Sequence, residues 1–243
     1  GAARIVASSE TRVEEGDLRR QLVARHYQEA ISFAFVEEAL LQHWQCTDDT
    51  VTLANPLSAE LAVMRPRLLP GLVDALGRNA ARQAGRVRLF ELGRVFAAPA
   101  QTGDAPLETR RIAAVACGAA GAEQWGVTTL RVDFHDLKGD LESLAAASGA
   151  QLVFRASTQS FGYPGRSADV YRVDGTGPAR HVGWIGQLHP RLQGALDLDQ
   201  DVYAFELDLE PLQQRALPRA EALSRFPAVR RDLAFLVAEQ VSW

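Results

Sequence analysis

The residues of this chain that could most directly do chemistry are two carboxylates inside apolar segments. Glu91 lies within RLFELGRVF and Glu206 lies within VYAFELDLEPL. Paired carboxylates can act as general acid and general base, but a carboxylate on an apolar strand is more often held by a cation. We therefore predict that Glu91 and Glu206 form structural ion pairs, with Arg88 or Lys138 as partners, rather than transfer protons.

The other nucleophiles and metal-ligand residue types show no catalytic or metal-binding pattern. Ser167 has no His/Asp arrangement that the sequence supports. Cys46 and Cys117 lie far apart without a CxxC spacing, which argues against a disulfide framework or a zinc site and favours a reducing cytosol. Three histidines share no metal-ligand spacing: His135, His181 and His189. We predict that this chain holds no metal.

The basic residues are almost all arginine, and Lys138 is the only lysine. A genome that favours Arg and Ala codons explains this bias, so surplus arginine is weak evidence for phosphate binding. Either position 138 requires an ammonium group, or the lysine has remained there by chance. The net charge of −4 gives no general attraction to a polyanion. Any contact with nucleic acid must therefore come from a local basic patch or from a partner.

Residues 64–96 form the segment around which the other elements are organised. Pro70 stands in the first turn of a predicted helix, where its missing N–H costs little. Residues 87–96 then predict a half-buried strand, rich in β-branched and aromatic side chains. The helix has an apolar stripe at helical spacing: Leu68, Leu69, Leu72, Val73 and Leu76. An amphipathic helix followed at once by a strand indicates a helix lying on a sheet.

The rest of the chain predicts an α+β fold with a mostly antiparallel sheet flanked by helices. Asp17 and Asp136 are candidate N-caps, and Gly149 is a candidate left-handed helix end. Tyr163-Pro164-Gly165 fits a type II turn. Loops are expected over 97–110 and 121–131. Further helices are predicted over 17–27, 36–44 and 133–149, and further strands over 29–35, 51–53, 61–64, 111–118, 152–155, 168–173, 181–188 and 202–209.

The composition is that of an ordinary globular protein, with 47% hydrophobic and 23% charged residues over 243 positions. The most apolar run, 112–122, is short and made largely of Ala and Gly, well below the length that spans a bilayer. The first residues contain no secretory apolar region. We expect a cytoplasmic protein without a membrane contact.

Seven segments follow one another over nearly the whole chain: YQEAISFAF, NPLSAELAVMRPRLLPGL, RLFELGRVF, DFHDLKGDLESL, GYPGRSA, GQLHP and FPAVRRDLAFLV. In this order they resemble the β subunit of bacterial phenylalanine–tRNA ligase. The resemblance implies the class II aminoacyl-tRNA synthetase-like core of that subunit, without catalytic function, and implies that this sequence is a fragment. It divides the chain into a linker or cut edge at 1–12, the core at 13–215, and a linker with the first strand of a ferredoxin-like anticodon-binding domain at 216–243.

The resemblance also implies that the residues which grip ATP in catalytic relatives are lost here. Those relatives carry an Arg for the α-phosphate where this chain has Ala97. They carry a glycine-rich segment where this chain has Glu206 and Asp208, and an Arg for the γ-phosphate where it has Pro211. Removing one such donor costs on the order of 3 kcal/mol of transition-state stabilisation. We therefore predict a pseudo-active site with no catalytic residue.

The resemblance suggests further positions for structural or interface roles. Arg94 is expected on the strand face opposite Val95, as a surface or interface residue. Tyr163 stands where the family usually has His, although the turn residues survive. Structural or interface candidates are Lys138, Glu91, Arg94, Pro164 and Gly165. Candidates for a tRNA contact are Arg225, Arg230 and Arg231, for which a solvated linker is the alternative.

The resemblance implies a non-catalytic core that binds the phenylalanine–tRNA ligase α subunit within an α2β2 heterotetramer. In that enzyme, ATP and magnesium serve the attachment of phenylalanine to tRNA(Phe), while this chain binds no cofactor itself. Two alternatives remain open at this point. One is an independently active class II module that adenylates an amino acid, and the other is a regulatory module that binds a small molecule.

Overall fold

The computed structural model describes residues 10–47, 50–56, 58, 61–99, 101, 104–174, 177–217 and 229–238. The helices in these ranges are α1 (Glu15–Ala24), α2 (Glu38–Trp44), α3 (Leu69–Ala80), α4 (Phe134–Ser148), α5 (Pro190–Ala195) and α6 (Leu209–Gln213). The strands are β1 (Gln28–Glu29), β2 (Phe35–Val36), β3 (Val51–Thr52), β4 (Val63–Met64), β5 (Arg86–Ala97), β6 (Leu107–Gly118), β7 (Gln151–Ala156), β8 (Gly162–Val173), β9 (Arg180–Leu188) and β10 (Val202–Asp208).

Seven of these strands form one sheet in the order β1-β5-β6-β10-β9-β8-β7. The short β1 pairs with β5 in parallel, and every other neighbouring pair of this sheet is antiparallel. The strands β2, β4 and β3 form a separate small sheet. The predicted α+β class with a mostly antiparallel sheet is confirmed.

Helices cover both faces of the large sheet because its central strands are apolar on both sides. Phe90, Ala114 and Phe205 face one core, which α1, α4 and α6 complete. Leu89 and Ala204 face the other core, which α2, α3 and α5 complete. Side chains alternate between these two sides along each strand, so we call them the α4 face and the α3 face.

The predicted helix and strand of residues 64–96 are present as α3 and β5. Leu69, Leu72, Val73 and Leu76 of α3 are buried, and Pro70 lies in its first turn. The helix continues past Gly77 to Ala80 instead of fraying there. The predicted arrangement of this segment, a helix lying on a sheet, is therefore confirmed.

The N-terminus of α4 is capped one turn earlier than predicted. Asp133, not Asp136, is the N-cap, and its carboxylate accepts hydrogen bonds from the backbone N–H groups of His135 and Asp136. The Asp136 side chain accepts from the backbone N–H of Asp133 and so completes a capping box. Gly149 ends the helix with a φ of 71°, as predicted. In α1, Asp17 lies in the first turn and Glu14 is the N-cap.

Several predicted boundaries were wrong. Residues 29–35 do not form a strand, because Ile31 and Phe33 are 91% and 75% exposed between the short β1 and β2. The predicted loop 97–110 is shorter, since β6 begins at Leu107 and pairs with β5 to its end. Residue Leu209 begins α6 instead of ending a strand, and α5 was not predicted.

Pro164 and Gly165 lie inside β8 rather than between two strands. The pairing of β8 with β9 is interrupted between Gly162 and Ser167, so these residues form a bulge. Gly165 has a φ of 78°, the left-handed value that the predicted turn requires. The Ser167 hydroxyl donates to the Tyr163 carbonyl at 3.1 Å and closes the bulge.

The predicted strand near the C-terminus is not seen in the residues that can be described. Residues 229–238, with Arg230 and Arg231, are exposed and lie outside helices and strands. A strand needs a hydrogen-bonding partner, and the described residues supply none for this segment. Arg225 lies outside the described residues. The three-part domain division therefore stays a prediction.

Candidate functional site

Two buried carboxylates lie in one row across the centre of the sheet. Glu91 on β5 and Glu206 on β10 are both register partners of Ala113 on β6. Neighbouring strands lie about 4.8 Å apart, so the two backbone positions are separated by roughly 10 Å. Glu91 is 2% exposed and Glu206 is 3% exposed. Two carboxylates in such a row require cations or N–H donors of their own.

The first carboxylate is held by the segment that leads into α3. We call residues 65–69 the crossing segment, because they contact both carboxylates of the row on the α3 face. Arg65 donates from Nη1 to Oε1 of Glu91 at 2.7 Å and to the hydroxyl of Ser32 at 3.0 Å, and its Nε donates to the Arg94 carbonyl at 2.9 Å. Ser32 donates in turn to the other oxygen of Glu91. Both Arg65 and Glu91 are buried, so this ion pair is shielded from water.

The second carboxylate occupies the N-terminus of α3. The backbone N–H groups of Leu68 and Leu69 each donate to Oε2 of Glu206 at 3.1 Å. Nη1 of Arg111 donates to Oε1 of the same carboxylate at 2.9 Å. A helix N-terminus attracts anions because its first N–H groups lack helical partners and its dipole end is positive. The carboxylate of Glu206 therefore occupies the anion-binding position at the N-terminus of α3.

Arg111 connects the two carboxylates that the sequence placed on β10. Its Nε donates to Asp208 at 3.1 Å while its Nη1 binds Glu206. Burial alone lowers the pKa of the Arg111 guanidinium, but the charges and hydrogen bonds of Glu206 and Asp208 outweigh burial and raise that pKa. The cation is consequently fixed in its charged form between two carboxylates.

A glycine on β5 leaves the space that the crossing segment needs. A Cβ added to Gly93 would lie 2.4 Å from Nη2 of Arg65 and 2.9 Å from Cδ2 of Leu68. Real Cβ atoms do not approach other atoms so closely. Gly93 therefore allows Arg65 to reach Glu91.

A small polar cleft of about 90 Å³ remains beside this ion-pair network. Arg67, Arg111 and Asp208 line it, and the Arg67 guanidinium lies 4.8 Å from the centre of the Phe161 ring. Most donors and acceptors around the row already bind each other. The arrangement stabilises the crossing segment on the sheet.

The predicted ion pairs exist, but their partners were wrong. Glu91 pairs with Arg65 and Glu206 pairs with Arg111, because the crossing segment and β6 bring these arginines to the row. Arg88 points to the α4 face and pairs there with Asp140 at 2.9 Å. Lys138 pairs with Glu142 one turn along α4 at 2.6 Å and lies 5.0 Å from the centre of the Phe154 ring.

The other positions singled out in the sequence lie away from this row. Ala97 pairs with Leu107 at the loop end of the β5–β6 hairpin, four residues or roughly 13 Å beyond Gly93. Arg94 is exposed and forms an ion pair with Glu108 at 2.9 Å, which matches the predicted surface position. Pro211 is buried in α6, where its carbonyl accepts a hydrogen bond from Arg172.

A second buried polar cluster was not predicted. Asp140 of α4 accepts from the Tyr27 hydroxyl at 2.8 Å, from Arg88 at 2.9 Å and from Arg25 at 3.0 Å. Burial, followed by the charge of Asp140, raises the pKa of Tyr27 far above its ordinary value. The cluster joins α1, β5 and α4. Its signal in the sequence was Asp140, one helical turn from Leu137 and Leu144, which are both buried.

The three histidines considered as metal ligands from the sequence lie apart and make local contacts. Nδ1 of His189 accepts from the backbone N–H of Arg191 and caps α5 at 3.0 Å. The rings of His135 and His181 lie edge-on to Phe134 and Tyr171. Within the described ranges, no three His, Cys, Asp or Glu residues are grouped to hold a metal ion. The same ranges contain no helix with the length and apolarity needed to cross a bilayer.

Residues 2–209 match the family model described as the phenylalanyl tRNA synthetase beta chain CLM domain. The chain belongs to this family. It is 68% identical over its whole length to the phenylalanine–tRNA ligase beta subunit of Xanthomonas axonopodis pv. citri and 62% identical to that of Xylella fastidiosa. The chain spans 30% of the length of each of these curated relatives. The predicted resemblance is confirmed.

The fold of this family member is similar to that of a solved tRNA synthetase. The structure of Desulfitobacterium hafniense PylSc, a pyrrolysyl tRNA synthetase, matches with a TM-score of 0.57 at 17% sequence identity. The match covers 82% of this chain and 64% of that chain. At this identity the likeness shows the fold alone, and it confirms the predicted synthetase-like fold.

Proposed function

We propose that this chain is a non-catalytic core that packs against the catalytic α subunit of phenylalanine–tRNA ligase. In that enzyme, expected as an α2β2 heterotetramer in the cytoplasm, the α subunit activates phenylalanine with ATP and magnesium and attaches it to tRNA(Phe). The core binds no cofactor of its own and maintains the assembly. Arg225, Arg230 and Arg231 remain candidates for a contact with tRNA.

The observation that carries this proposal is the position of Glu206. Its carboxylate accepts from two N–H groups at the N-terminus of α3 and from Arg111, so these donors are already in use. A nucleotide phosphate brought to this place would meet Glu206 and Asp208. Two like charges 4 Å apart repel by roughly 4 kcal/mol at an effective dielectric of 20. This repulsion, together with the Ala97 and Pro211 positions, argues against adenylation by this chain.

Exposed apolar side chains near one edge of the sheet support a role in protein contact. Ile31 and Phe33 follow β1, which is an edge strand, and are largely exposed. A protein seldom leaves two large neighbouring apolar side chains in water unless a partner covers them. A catalytic copy of a class II core can use an inactive copy as its pseudo-symmetric partner. We therefore assign the α-subunit contact to a surface that includes Ile31 and Phe33.

The test is phenylalanine-dependent exchange of pyrophosphate into ATP, measured with this chain, with the α subunit, and with both. We expect no exchange by this chain alone and full exchange only when α is present. Exchange by the chain alone would contradict the non-catalytic assignment. A binding assay then compares Phe33→Asp with Val153→Asp, an exposed position on β7 at the opposite edge of the sheet. We expect Phe33→Asp to lose α binding while it keeps the wild-type circular dichroism spectrum, and Val153→Asp to keep both.

A further inference from the structure

A groove of about 390 Å³ opens between α1, the C-terminal end of α4 and two extended segments. Its charged lining consists of Arg12, Arg20, Arg215 and Asp17. Smaller side chains, including Val13 and Ala147, complete its walls. Three arginines against one carboxylate make this concave surface basic on a chain whose net charge is −4.

The backbone holds two of these arginines in fixed positions. We call residues 11–13 and 213–215 the clip, because they pair with each other as two short antiparallel segments. The N–H of Val13 donates to the Gln213 carbonyl at 2.8 Å, and the N–H of Arg215 donates to the Thr11 carbonyl at 2.9 Å. Nε2 of Gln213 also donates to the Val13 carbonyl at 3.1 Å. Arg12 and Arg215 are thus presented on a paired backbone.

The positive charge of the groove is only partly neutralised from within. Arg20 pairs with Asp17 on α1. Arg12 donates from Nη2 to the neutral amide oxygen of Gln213 at 2.7 Å. Among the ion pairs formed by the described residues, none involves Arg12 or Arg215. The groove therefore has two guanidinium groups that an acidic partner could bind.

We propose that this groove binds an acidic segment of the catalytic subunit, which rests on the proposed function. A guanidinium is weakly hydrated and matches a carboxylate with two parallel hydrogen bonds, so arginine suits a protein interface. The small apolar side chains of the walls suit the aliphatic stem of Asp or Glu. The lining contains no aromatic side chain on which a nucleic-acid base could stack. These features favour a protein carboxylate over an RNA strand.

The test is the affinity of the full 243-residue chain for the purified α subunit, measured by calorimetry at 50 and 300 mM NaCl. Arg215→Glu is the first variant, and Arg12→Glu/Arg215→Glu the second. The control is Arg131→Glu, an exposed arginine outside the groove. We expect Arg215→Glu to weaken binding at least tenfold at 50 mM NaCl and less at 300 mM, because salt screens exposed charge pairs. The double variant should weaken it further, and the control should bind as the wild type does.

Wild-type affinity in both groove variants would overturn the inference while leaving the proposed function intact. The inference would also be overturned if the groove variants kept wild-type affinity for the α subunit while the enzyme assembled from them bound tRNA more weakly. The groove would then be an RNA contact. If the wild-type chain does not bind α, the proposed function fails, and the assignment of the groove fails with it. Melting temperatures of all variants, taken first, show that each one folds.

Discussion

Replacement of Glu206 by Gln tests the central ion-pair network with almost no change in shape. The amide oxygen of Gln can still accept from the N–H groups of Leu68 and Leu69, but it carries no charge. Arg111 then loses its charged partner Glu206 and keeps Asp208 as an ion-pair partner. The variant therefore removes the charge from the N-terminus of α3 and leaves the packing of β10 in place.

The expected cost follows from the burial of the two partners. Removing one charge of a buried pair costs about 3–5 kcal/mol, because the remaining charge loses its partner away from water. Arg111 retains Asp208, and 26% of its side chain is exposed, so water can compensate in part. We expect Glu206→Gln to lower the free energy of unfolding by about 2–3 kcal/mol. For a domain of this size, this corresponds to a drop of about 4–12 °C in melting temperature.

Urea denaturation of both proteins, followed by circular dichroism, measures this change. Glu108→Gln is the control, because Glu108 pairs with Arg94 on the exposed surface, and such pairs contribute about 0–1 kcal/mol. The double variant Glu206→Gln/Arg111→Gln should cost less than the sum of its two single variants by about 1 kcal/mol or more, since the partners are in contact. A stability for Glu206→Gln within about 0.5 kcal/mol of wild type would refute the reasoning.

Two further predictions concern the crossing segment and a half-buried thiol. Gly93→Ala should lower stability by about 1–3 kcal/mol in urea denaturation, because its Cβ would clash with Arg65 and Leu68, whereas Gly139→Ala, in a helix with open space around it, should be neutral or stabilising. Burial raises the pKa of the Cys46 thiol to about 11, so its alkylation by iodoacetamide at pH 8 should be about a hundredfold slower in the folded than in the urea-unfolded protein. Since the folded state holds this proton more tightly, the associated stability should be present below pH 9 and lost as the pH rises towards 11. A Gly93→Ala variant as stable as the wild type would contradict the first prediction. Alkylation of Cys46 at the same rate in the folded and the unfolded protein would contradict the second.

The fold was predictable where periodicity and special residues agreed. The apolar stripe of α3 and the proline in its first turn defined that helix from the sequence. The alternation of Ile31, Phe33 and Phe35 led to a wrong prediction of a strand. A strand with one buried face shows this pattern, and so does an exposed segment that contains apolar residues. Burial depends on a covering element, and local sequence does not contain that information.

The sequence predicted that the candidate site contains ion pairs, but it did not predict which residues form them. A carboxylate on an apolar strand requires a partner, and the sequence could state this for Glu91 and Glu206. The partners depend on how distant segments meet. Arg65 reaches Glu91 only because the crossing segment lies over β5, and Arg111 reaches Glu206 across 95 residues of sequence. Strand register and the course of a loop decide such pairs, and neither has a short sequence signal.

The clip also determines how the core responds to mechanical tension. Residues 11–13 and 213–215 run antiparallel, so residues 10 and 216 lie at the same end of the clip. Force that pulls residues 10 and 216 apart would break the hydrogen bond between Thr11 and Arg215 first and those between Val13 and Gln213 next, one after another. Strands loaded in shear would instead resist with all their bonds at once. We therefore expect the clip to be the weakest point of the core under load, and the sheet behind it to stay intact while the clip opens.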